Sequence, residues 1–220
     1  MSVNIKTTHV GSLPRTKELL EVNNKFAAGE IEREDFLGIL QESIDKVVAK
    51  QHEMGISIIN EGEYGHVTSG AVDYGAWWNY SFSRLGGLTM TDEDRWANQE
   101  AIRSEPGNIR LTSFADRRDR TLFREAYEDP ASGILANRAS VGNPKITGPI
   151  TYIGKDQIDT DVQLLTTAMK KTGATEGFVA ALSPGSAARL KNEYYETDDD
   201  VVWACADAMA EEYRAITDAG

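Results

Sequence analysis

Apolar residues between positions 34 and 54 recur every three or four residues, which is the spacing of one face of an α-helix. The members of this stripe are Phe36, Leu37, Leu40, Ile44, Val47, Val48 and Met54. Gly55 follows the stripe and suits the left-handed position that often ends a helix. The next residues, Ile56–Ile59, form a short, mostly β-branched run of the kind found in buried strands. The pattern therefore predicts a helix over 34–54 and a strand directly after it.

The same alternation returns in the last third of the chain. A strand is predicted over Lys145–Ile150, and a helix over 160–172 that ends before Gly173. The stripe of this helix is Val162, Leu165, Ala168 and Met169. Residues 177–185 predict another strand, which breaks at Ser183-Pro184-Gly185. A last helix is predicted to begin at Asp198–Asp200, because acidic residues stabilise the positive end of a helix. Its stripe is Val201, Cys205, Ala208, Met209, Tyr213 and Ile216.

Residues 64–143 show little periodicity and are rich in glycine, arginine, aspartate and aromatic residues. A connection of this length without structure of its own would be unusual in a compact domain. We therefore expect a long excursion after the second strand, containing a hairpin and short helices. It should fold back on the body of a single domain that covers residues 1–220.

Strands that alternate with helices predict the α/β class, with a parallel sheet and right-handed crossovers. A doubly wound sheet and a TIM-type (β/α)8 barrel both fit this order. The pattern contains about four strands, whereas a complete eightfold barrel needs about 250 residues, so as a barrel the chain would be incomplete and roughly half of one. Open sheet edges and an uncovered apolar face invite association. We therefore expect a homodimer or a higher assembly.

Composition narrows the classes of function. The 220 residues are 40% hydrophobic and 26% charged, with a net charge of -12, which fits a globular protein with one substantial core. An acidic chain lacks the basic face that nucleic acids require. The sequence has no apolar run long enough for a membrane span and no signal-peptide features at its N-terminus. Its one cysteine, Cys205, excludes a disulfide framework and a cysteine-based zinc cage. A cytoplasmic protein is expected.

A first strand is predicted to lead into His9. Polar residues follow this strand and two of the other predicted strands, at His9–Ser12, Asn60–Glu63 and Ser183–Ser186. In parallel α/β folds, functional residues lie at these carboxyl ends. Gly11 lets a ligand approach the backbone, whose amides suit a carboxylate, and Ser12 adds a hydroxyl group. An ordinary turn explains the same residues equally simply. The first segment is therefore a candidate anion-binding loop or a plain turn.

Two glutamates and two histidines are the titratable candidates in these segments. Glu63 can bind an ammonium group or act in acid–base chemistry, and Glu61 lies on the same face if the strand continues. Solvated loop acids are the alternative interpretation. His9 and His66 flank the first two segments, but their loose spacing from Glu63 favours hydrogen-bonding roles over a metal site. We therefore expect no metal or other cofactor in this chain, and we add Ser183 as a possible site residue.

Five motifs resemble segments of the cobalamin-independent methionine synthase family, and they occur in the family's order. They are TTHVGSLPR (7–15), GISIINEGE (55–63), KITGPITY (145–152), LSPGSAARLKNEYY (182–195) and AEEYRAITDAG (210–220). The chain resembles the N-terminal half of the catalytic barrel and is similar to the shorter, single-barrel members. The resemblance implies a (β/α)8 barrel and the transfer of a methyl group from a methyltetrahydrofolate to the thiol of homocysteine, a step in methionine biosynthesis.

The resemblance also implies roles for individual residues. Val10, Gly11 and Ser12 match the segment that holds the carboxylate of the amino acid, and Glu63 matches the acid that holds its ammonium group. The implied partners are small molecules: homocysteine or a methionine-like amino acid, and methyl-folate. In the full-length family a zinc ion activates the thiol, since metal coordination deprotonates sulfur at neutral pH.

The family's zinc ligands lie in the second half of the barrel, as a His-x-Cys pair, a glutamate and a later cysteine. This chain has no His-x-Cys sequence, and Cys205 lies on a different element. We therefore expect a chain that is truncated before the zinc ligands, free of zinc and inactive alone. Two alternatives stay open here. One is a non-catalytic half-barrel that binds an amino acid, and the other is a relative that alkylates a different thiol.

Overall fold

The computed structural model describes residues 5–66, 80, 82–91, 104–111, 118–129 and 143–220. The chain divides into two compact units, each built from separate stretches. Unit 1 comprises Met1–Tyr80, Lys155–Ala181 and Arg214–Gly220, and unit 2 comprises Ser81–Gly154 and Leu182–Tyr213. Within the described ranges, no helix combines the length and the apolar character that crossing a membrane requires.

The described elements mix helices with short strands. In chain order they are α1 (Lys17–Ala27), α2 (Arg33–Glu53), β1 (Leu85–Thr91), α3 (Arg118–Leu122), α4 (Arg124–Glu128), β2 (Asn143–Tyr152), α5 (Lys155–Thr172), α6 (Pro184–Ala187), β3 (Lys191–Asn192) and α7 (Asp198–Thr217). The α/β character predicted from the sequence is confirmed. The half-barrel and the single domain over residues 1–220 stay predictions.

The helix α1 lies directly after the TTHVGSLPR motif and outside the elements that the sequence predicted. Thr16 caps it, because its side chain accepts a hydrogen bond from the Leu19 backbone amide at 3.2 Å. Leu19 is fully buried. Phe26 stacks on Phe36 of α2, with ring centroids 4.4 Å apart. The helix therefore anchors the end of the motif to the core of unit 1.

The helix α2 agrees with the prediction over 34–54 to within one residue at each end. It ends in a Schellman motif, in which Gly55 has φ 79° and the Ile56 amide donates to the Gln51 carbonyl at 3.1 Å. This ending turns the chain back toward the core. Residues 56–60 then run into the second polar segment.

The helix α5 packs against α2, which also contacts α1, and the three helices contribute to the core of unit 1. It begins at Lys155 rather than at residue 160, and ends before Gly173 as predicted. Its buried residues include Leu164, Leu165 and Ala168. The buried core cluster as a whole consists of Leu19, Phe36, Leu40, Ile44, Val48, Ile59, Tyr64, Leu164, Leu165 and Ala168. Tyr64 belongs to the polar segment, so the site is attached directly to the core.

The strands predicted over 56–59 and 177–185 do not form, and this corrects the sequence analysis. One parallel bridge joins the two segments, between Ile59 and Gly177. The Phe178 amide donates to the Ile59 carbonyl at 2.9 Å. After Asn60, side-chain oxygens accept the next backbone amides in place of a neighbouring strand, so the ladder ends at once.

The first predicted strand, leading into His9–Ser12, is also not a regular strand. The Thr7 carbonyl accepts both the Ser57 and the Ile58 amides, each at 3.0 Å. The Thr8 hydroxyl donates to the Ile58 carbonyl at 2.9 Å. One carbonyl that serves two amides breaks the alternation of a ladder. The segment still lies beside residues 57–58, and this brings the opening motif next to the second polar segment.

The sheet of unit 2 has the order β1-β2-β3 among the described strands. β2 contains the strand predicted over Lys145–Ile150 and extends it at both ends. β1 pairs with β2 in antiparallel orientation, with Leu85 opposite Tyr152, whereas β3 pairs with β2 in parallel. The expected all-parallel sheet is therefore wrong for unit 2. β1 comes from the 64–143 excursion, and an antiparallel neighbour needs no crossover helix.

Two more features of the excursion agree with the sequence analysis. Glu105 and Asn108 exchange both backbone hydrogen bonds around Pro106-Gly107, at 3.1 and 2.9 Å, in a tight hairpin turn. The short helices α3 and α4 follow. Leu111 ties this turn to the start of α7, because its amide donates to Asp198 Oδ2 at 2.9 Å.

Unit 2 also contains a buried carboxylate with matched partners. Glu212 of α7 is 0% exposed, and its Oε2 accepts hydrogen bonds from Arg84 at 3.2 Å and from the Tyr152 hydroxyl at 2.6 Å. Burial and the bonded carboxylate raise the pKa of Tyr152, so its hydroxyl stays a donor. A Cβ at Gly154 would lie 2.7 Å from the Arg84 side chain, so glycine leaves the room that Arg84 needs.

Candidate functional site

The motif TTHVGSLPR and the segment 60–66 are bound together by backbone and side-chain hydrogen bonds. The Leu13 amide donates to the Gly62 carbonyl at 3.1 Å, and the Tyr64 hydroxyl donates to the Pro14 carbonyl at 2.9 Å. These two segments were predicted separately as polar strand ends. The structure brings them together in unit 1, and we call segment 60–66 the site turn.

Ser12 and Glu63 meet at the centre of this junction. The Ser12 hydroxyl donates to Glu63 Oε2 in a very short hydrogen bond. Gly11 is exposed, with φ 84°, and a side chain there would meet nothing within 4 Å. Val10 is 95% exposed. A ligand can therefore reach both the Ser12–Glu63 pair and the backbone around Gly11 from solvent.

Glu63 has a strained backbone. Its φ is 55°, and it is the only non-glycine residue with positive φ in the described part of the chain. Two contacts hold it there: Arg15 donates to the Glu63 carbonyl at 2.6 Å, and the Glu63 amide donates to Glu61 Oε1 at 3.2 Å. A left-handed non-glycine residue costs about 1–2 kcal/mol. Such strain persists where the surroundings impose it, and it is often found at functional sites.

Arg15 is the last residue of the opening motif and is 6% exposed. Besides Glu63, its guanidinium group donates to the His66 carbonyl at 3.1 Å. It also lies over the Tyr64 ring, 6.0 Å from the centroid. Arg15 therefore shapes the site turn by binding its carbonyl groups. The sequence analysis assigned it no role, because a single arginine in a motif does not reveal that it will be buried.

Two amide side chains fix the start of the site turn. Gln51 of α2 holds the Asn60 backbone on both sides: its Nε2 donates to the Asn60 carbonyl at 2.7 Å, and its Oε1 accepts the Asn60 amide at 3.1 Å. The Asn60 side chain accepts the Gly62 amide at 2.6 Å and donates to the Phe178 carbonyl at 3.1 Å. The bond from Gly62 is an Asx-turn, and an asparagine two residues before a glycine was its signal in the sequence.

Glu61 precedes Glu63 by two residues and is 4% exposed. Its Oε2 accepts a hydrogen bond from Asn60 Nδ2 at 2.8 Å. Burial raises the pKa of Glu61 to about 8, and the negative charges of Asp161 and Glu63 act in the same direction. At neutral pH the Glu61 carboxyl group is therefore mostly protonated.

Asp161 of α5 is a member of the site that the sequence analysis missed. Its carboxylate approaches the site turn so closely that a Cβ at Gly65 would lie 2.9 Å from Asp161 Oδ1. Asp161 is 9% exposed. It lies nearly a hundred residues after the turn in the sequence, and its helix carries many other polar residues. No local pattern distinguishes it from a solvated helix residue.

His9 and His66 occupy different environments at the site. His66 stacks on Tyr80, with ring centroids 4.4 Å apart, and its Nδ1 lies 4.0 Å from Glu63 Oε2. The His9 ring is near Phe178, at 6.0 Å between centroids. Both ring nitrogens of His9 are shielded from solvent and have no hydrogen-bond partner among the described residues. His66 is thus placed to interact with Glu63, whereas His9 has unused hydrogen-bonding capacity.

The zinc ion that the family resemblance implies would need several donor side chains arranged around one point. In the described ranges, no group of three histidine, cysteine, aspartate or glutamate side chains is arranged to hold a metal ion. Cys205 is buried on α7, and burial raises the pKa of its thiol to about 12. A thiol of this kind is protonated at neutral pH and is a poor metal ligand. The described residues therefore do not fit the zinc ion that the family resemblance implies.

Ser183 belongs to unit 2 and has a local role. It caps α6, since its side chain accepts the Ser186 amide at 3.2 Å and donates to the Ser186 hydroxyl at 3.0 Å. The structure thus brings together Ser12, Glu61, Glu63 and His66 in the site of unit 1. It engages Ser183 in a helix cap of its own.

A family model described as "Cobalamin-independent synthase, Catalytic domain" matches residues 5–188, which include the motif TTHVGSLPR and the whole site turn. The chain belongs to this family. The family resemblance drawn from the five sequence motifs is thereby confirmed. Residues 189–220, with β3 and α7, lie outside the match.

Several curated proteins are similar to this chain. Two of them are named 5-methyltetrahydropteroyltriglutamate–homocysteine methyltransferase. The protein from Thermotoga petrophila is 27% identical over 67% of this chain and 18% of its own length. The protein from Streptococcus gordonii is 27% identical over 68% of this chain and 18% of its own length. The uncharacterized protein YxjG of Bacillus subtilis is 22% identical over 72% of this chain and 40% of its own length. The chain spans less than half the length of each of these relatives.

Proposed function

We propose that the junction of Ser12 and Glu63 binds a homocysteine- or methionine-like amino acid, as the amino-acid-binding part of a methyltransferase that acts on a thiol. The observation that carries this proposal is the contact between Ser12 and a glutamate held in a strained, left-handed turn. Five separate contacts from Arg15, Asn60, Glu61, Gln51 and Tyr64 build that turn. A plain surface turn would need none of them.

The chemistry of the junction suits an amino acid. In the free site, Glu63 Oε2 accepts a hydrogen bond from the Ser12 hydroxyl group. An ammonium group is a stronger, charge-assisted donor to the same carboxylate. Its arrival frees the Ser12 hydroxyl to donate to the carboxylate of the ligand, together with backbone amides around Gly11. The junction can therefore bind the two charged groups that all α-amino acids share.

The names of the relatives support the choice of reaction. The Thermotoga petrophila and Streptococcus gordonii proteins are named for methyl transfer from a folate to homocysteine. Because the described residues do not fit a metal ion, we assign to this chain only the binding and orientation of the amino acid. Thiol activation and the binding of methyl-folate are proposed for the rest of a (β/α)8 barrel, to which this chain would contribute about half.

Isothermal titration calorimetry with L-methionine and L-homocysteine tests the proposal. We expect binding at a single site, and a loss of at least about tenfold in affinity for Ser12→Ala and for Glu63→Gln, since each removes one hydrogen bond to a charged group. Serine and glutamate residues on the helices provide matched controls. Ser43→Ala removes a hydroxyl that bonds only within α2, and Glu42→Gln changes an exposed carboxylate; both should bind as the unchanged protein does.

The same titrations identify the outcome that contradicts the proposal. If neither amino acid binds, or if Ser12→Ala and Glu63→Gln bind as well as Ser43→Ala, the junction is not an amino-acid site. Binding without methyl transfer to homocysteine, with methyl-folate and zinc supplied, is expected of this chain alone, because thiol activation is proposed for the rest of the barrel. Methyl transfer by this chain alone would contradict that division of roles.

We also propose that the chain associates with itself. β1 is an edge strand of the described sheet, and Met90 on it is 59% exposed. Exposed edge strands with apolar residues favour pairing between chains. Light scattering should therefore give twice the monomer mass or more, and a single monomeric species across the micromolar range would contradict this proposal.

A further inference from the structure

Glu61 and Glu63 act on the same short piece of backbone. Glu61 Oε1 accepts the Glu63 amide at 3.2 Å, and Arg15 holds the Glu63 carbonyl at 2.6 Å. Between them, these two contacts secure the residue at φ 55°. The direction of the Glu63 side chain toward Ser12 depends on that backbone geometry. Glu61 is therefore in a position to control Glu63 without touching a ligand itself.

Two charged groups near Glu61 are themselves acidic, and His66 of the same turn is a further titratable neighbour, with its Nδ1 4.0 Å from Glu63 Oε2. Asp161 from α5 and Glu63 from the same turn both oppose a negative charge on Glu61. Arg15, from the opening motif, directs its described hydrogen bonds to the carbonyls of Glu63 and His66. The donors to Glu61 itself are neutral amides. Three carboxyl groups so close together, one of them only 4% exposed, cannot easily all be ionised.

We propose that Glu61 is a positioning residue of the amino-acid site, which holds Glu63 in its left-handed turn and releases a proton when an ammonium group binds to Glu63. The inference rests on the proposed function. A cation beside Glu63 favours a second negative charge nearby, so the Glu61 carboxylic acid becomes a carboxylate and its proton leaves to solvent. The ammonium group keeps all of its protons. The site thereby gains up to one unit of negative charge as it receives one positive charge.

This coupling predicts a particular dependence on pH. Burial raises the pKa of the free Glu61 to about 8, with contributions from Asp161 and Glu63. If the bound cation lowers that pKa by about one unit, binding is about tenfold tighter at high pH than at low pH. About half a proton per site is then released at pH 7.5. Both effects are assigned to Glu61, so both should disappear in Glu61→Gln. A release that persists there would come from another group of the site, such as His66, which lies 4.0 Å from Glu63.

Calorimetry of L-methionine binding in two buffers of different ionisation enthalpy measures the released protons directly, and it needs no variant. The titrations are repeated at pH 6.5, 7.5 and 8.5. Glu61→Gln keeps an oxygen that can accept the Glu63 amide but cannot titrate. Glu61→Ala loses the acceptor as well. Glu30→Gln, which changes an exposed carboxylate in unit 1, is the matched control.

For the unchanged protein and Glu30→Gln, we expect proton release at pH 7.5 and affinity that rises about sixfold from pH 6.5 to 8.5. Glu61→Gln should bind within about twofold of the unchanged protein at pH 6.5, where both side chains are neutral, and should show no proton release and no rise. Glu61→Ala should bind about tenfold more weakly at pH 6.5, because the turn loses a hydrogen bond.

The results that overturn the inference are distinct from those that overturn the proposed function. If the unchanged protein binds L-methionine with no buffer dependence of the heat, Glu61 releases no proton and the inference is wrong, whether or not the variants fold. If Glu61→Gln retains the proton release, another group supplies it. If the unchanged protein does not bind L-methionine at all, the proposed function fails and the inference fails with it.

Discussion

Two buried glutamates, Glu61 in unit 1 and Glu212 in unit 2, have opposite surroundings. Glu212 is 0% exposed and bonds to the Arg84 guanidinium group and the Tyr152 hydroxyl. Glu61 is 4% exposed, and its described donors are neutral amides while its neighbours Asp161 and Glu63 are acidic. A buried charge with a matched partner serves structure. A buried acid that lacks a positively charged partner stays protonated at neutral pH. Such acids with a raised pKa are found most often at functional sites.

The largest loss of stability is expected when the Arg84–Glu212 pair is broken. Glu212→Leu removes the carboxylate to which the buried Arg84 guanidinium group donates, so the free energy of unfolding should fall by about 3–5 kcal/mol. Urea denaturation followed by circular dichroism measures this loss. Adding Arg84→Met to the same chain should recover most of it, since a buried pair can be replaced by apolar side chains at little cost. A loss below about 1 kcal/mol for Glu212→Leu would show that the Arg84–Glu212 pair is accessible to water.

For Glu61, which has no positively charged donor among the described residues, we expect a substitution to raise stability at high pH. The pKa of Glu61 is raised from 4.5 to about 8 in the folded protein, so folding favours its protonated form. This contribution to stability is fully present below pH 4.5 and is lost as the pH rises through 8. Glutamine at position 61 cannot ionise, so this loss does not occur in Glu61→Gln. At pH 8.5 we therefore expect Glu61→Gln to be more stable than the unchanged protein, by on the order of 4 kcal/mol.

Urea denaturation between pH 5 and 8.5 checks this prediction. The difference in free energy of unfolding between Glu61→Gln and the unchanged protein should grow with pH across that range. A constant difference would contradict it, because Glu61 would then be ionised to the same degree in the folded and unfolded chains. Glu30→Gln, with an exposed carboxylate, should show no pH-dependent difference.

The smallest effect concerns the strain at Glu63. Glycine adopts φ near 55° without a steric penalty, so Glu63→Gly should unfold with a free energy equal to or up to about 1 kcal/mol higher than the unchanged protein. The same change at Glu42, in the regular helix α2, should cost about 1 kcal/mol. Thermal denaturation compares the two variants. A Glu63→Gly chain that is less stable than Glu42→Gly would argue against strain at the turn.

The parts of the fold that the sequence predicted are those encoded by local patterns. The stripe from Phe36 to Val48 repeats over many turns, and α2 follows it closely. α1 has the same kind of stripe, but it is short and interrupted by Asn23, which is itself buried. The prediction of a strand at 56–59 was wrong because its apolar residues fit a buried extended segment whether or not that segment pairs with a neighbouring strand. The outcome was decided by Asn60 and its side-chain hydrogen bonds.

The residues of the site also divide into those that local sequence patterns predicted and those that they did not. Ser12 and Glu63 were predicted from their places after apolar segments and from motifs that resemble a family, and the structure brings them into contact. Arg15, Gln51 and Asp161 were not predicted. Each acts on the site turn from another segment of the chain, and its partner is a backbone group or a charge that no local pattern specifies.

The Ser12–Glu63 junction is proposed to bind an amino acid, whereas the Arg84–Glu212 pair is proposed to support only the fold. A 15N amide NMR titration with L-methionine tests both halves of that comparison at once. We predict saturable shifts at Gly11, Ser12 and residues 61–66, and no shifts at Arg84 and Glu212. Shifts that are absent from the junction, or that occur equally around Arg84 and Glu212, would contradict the account.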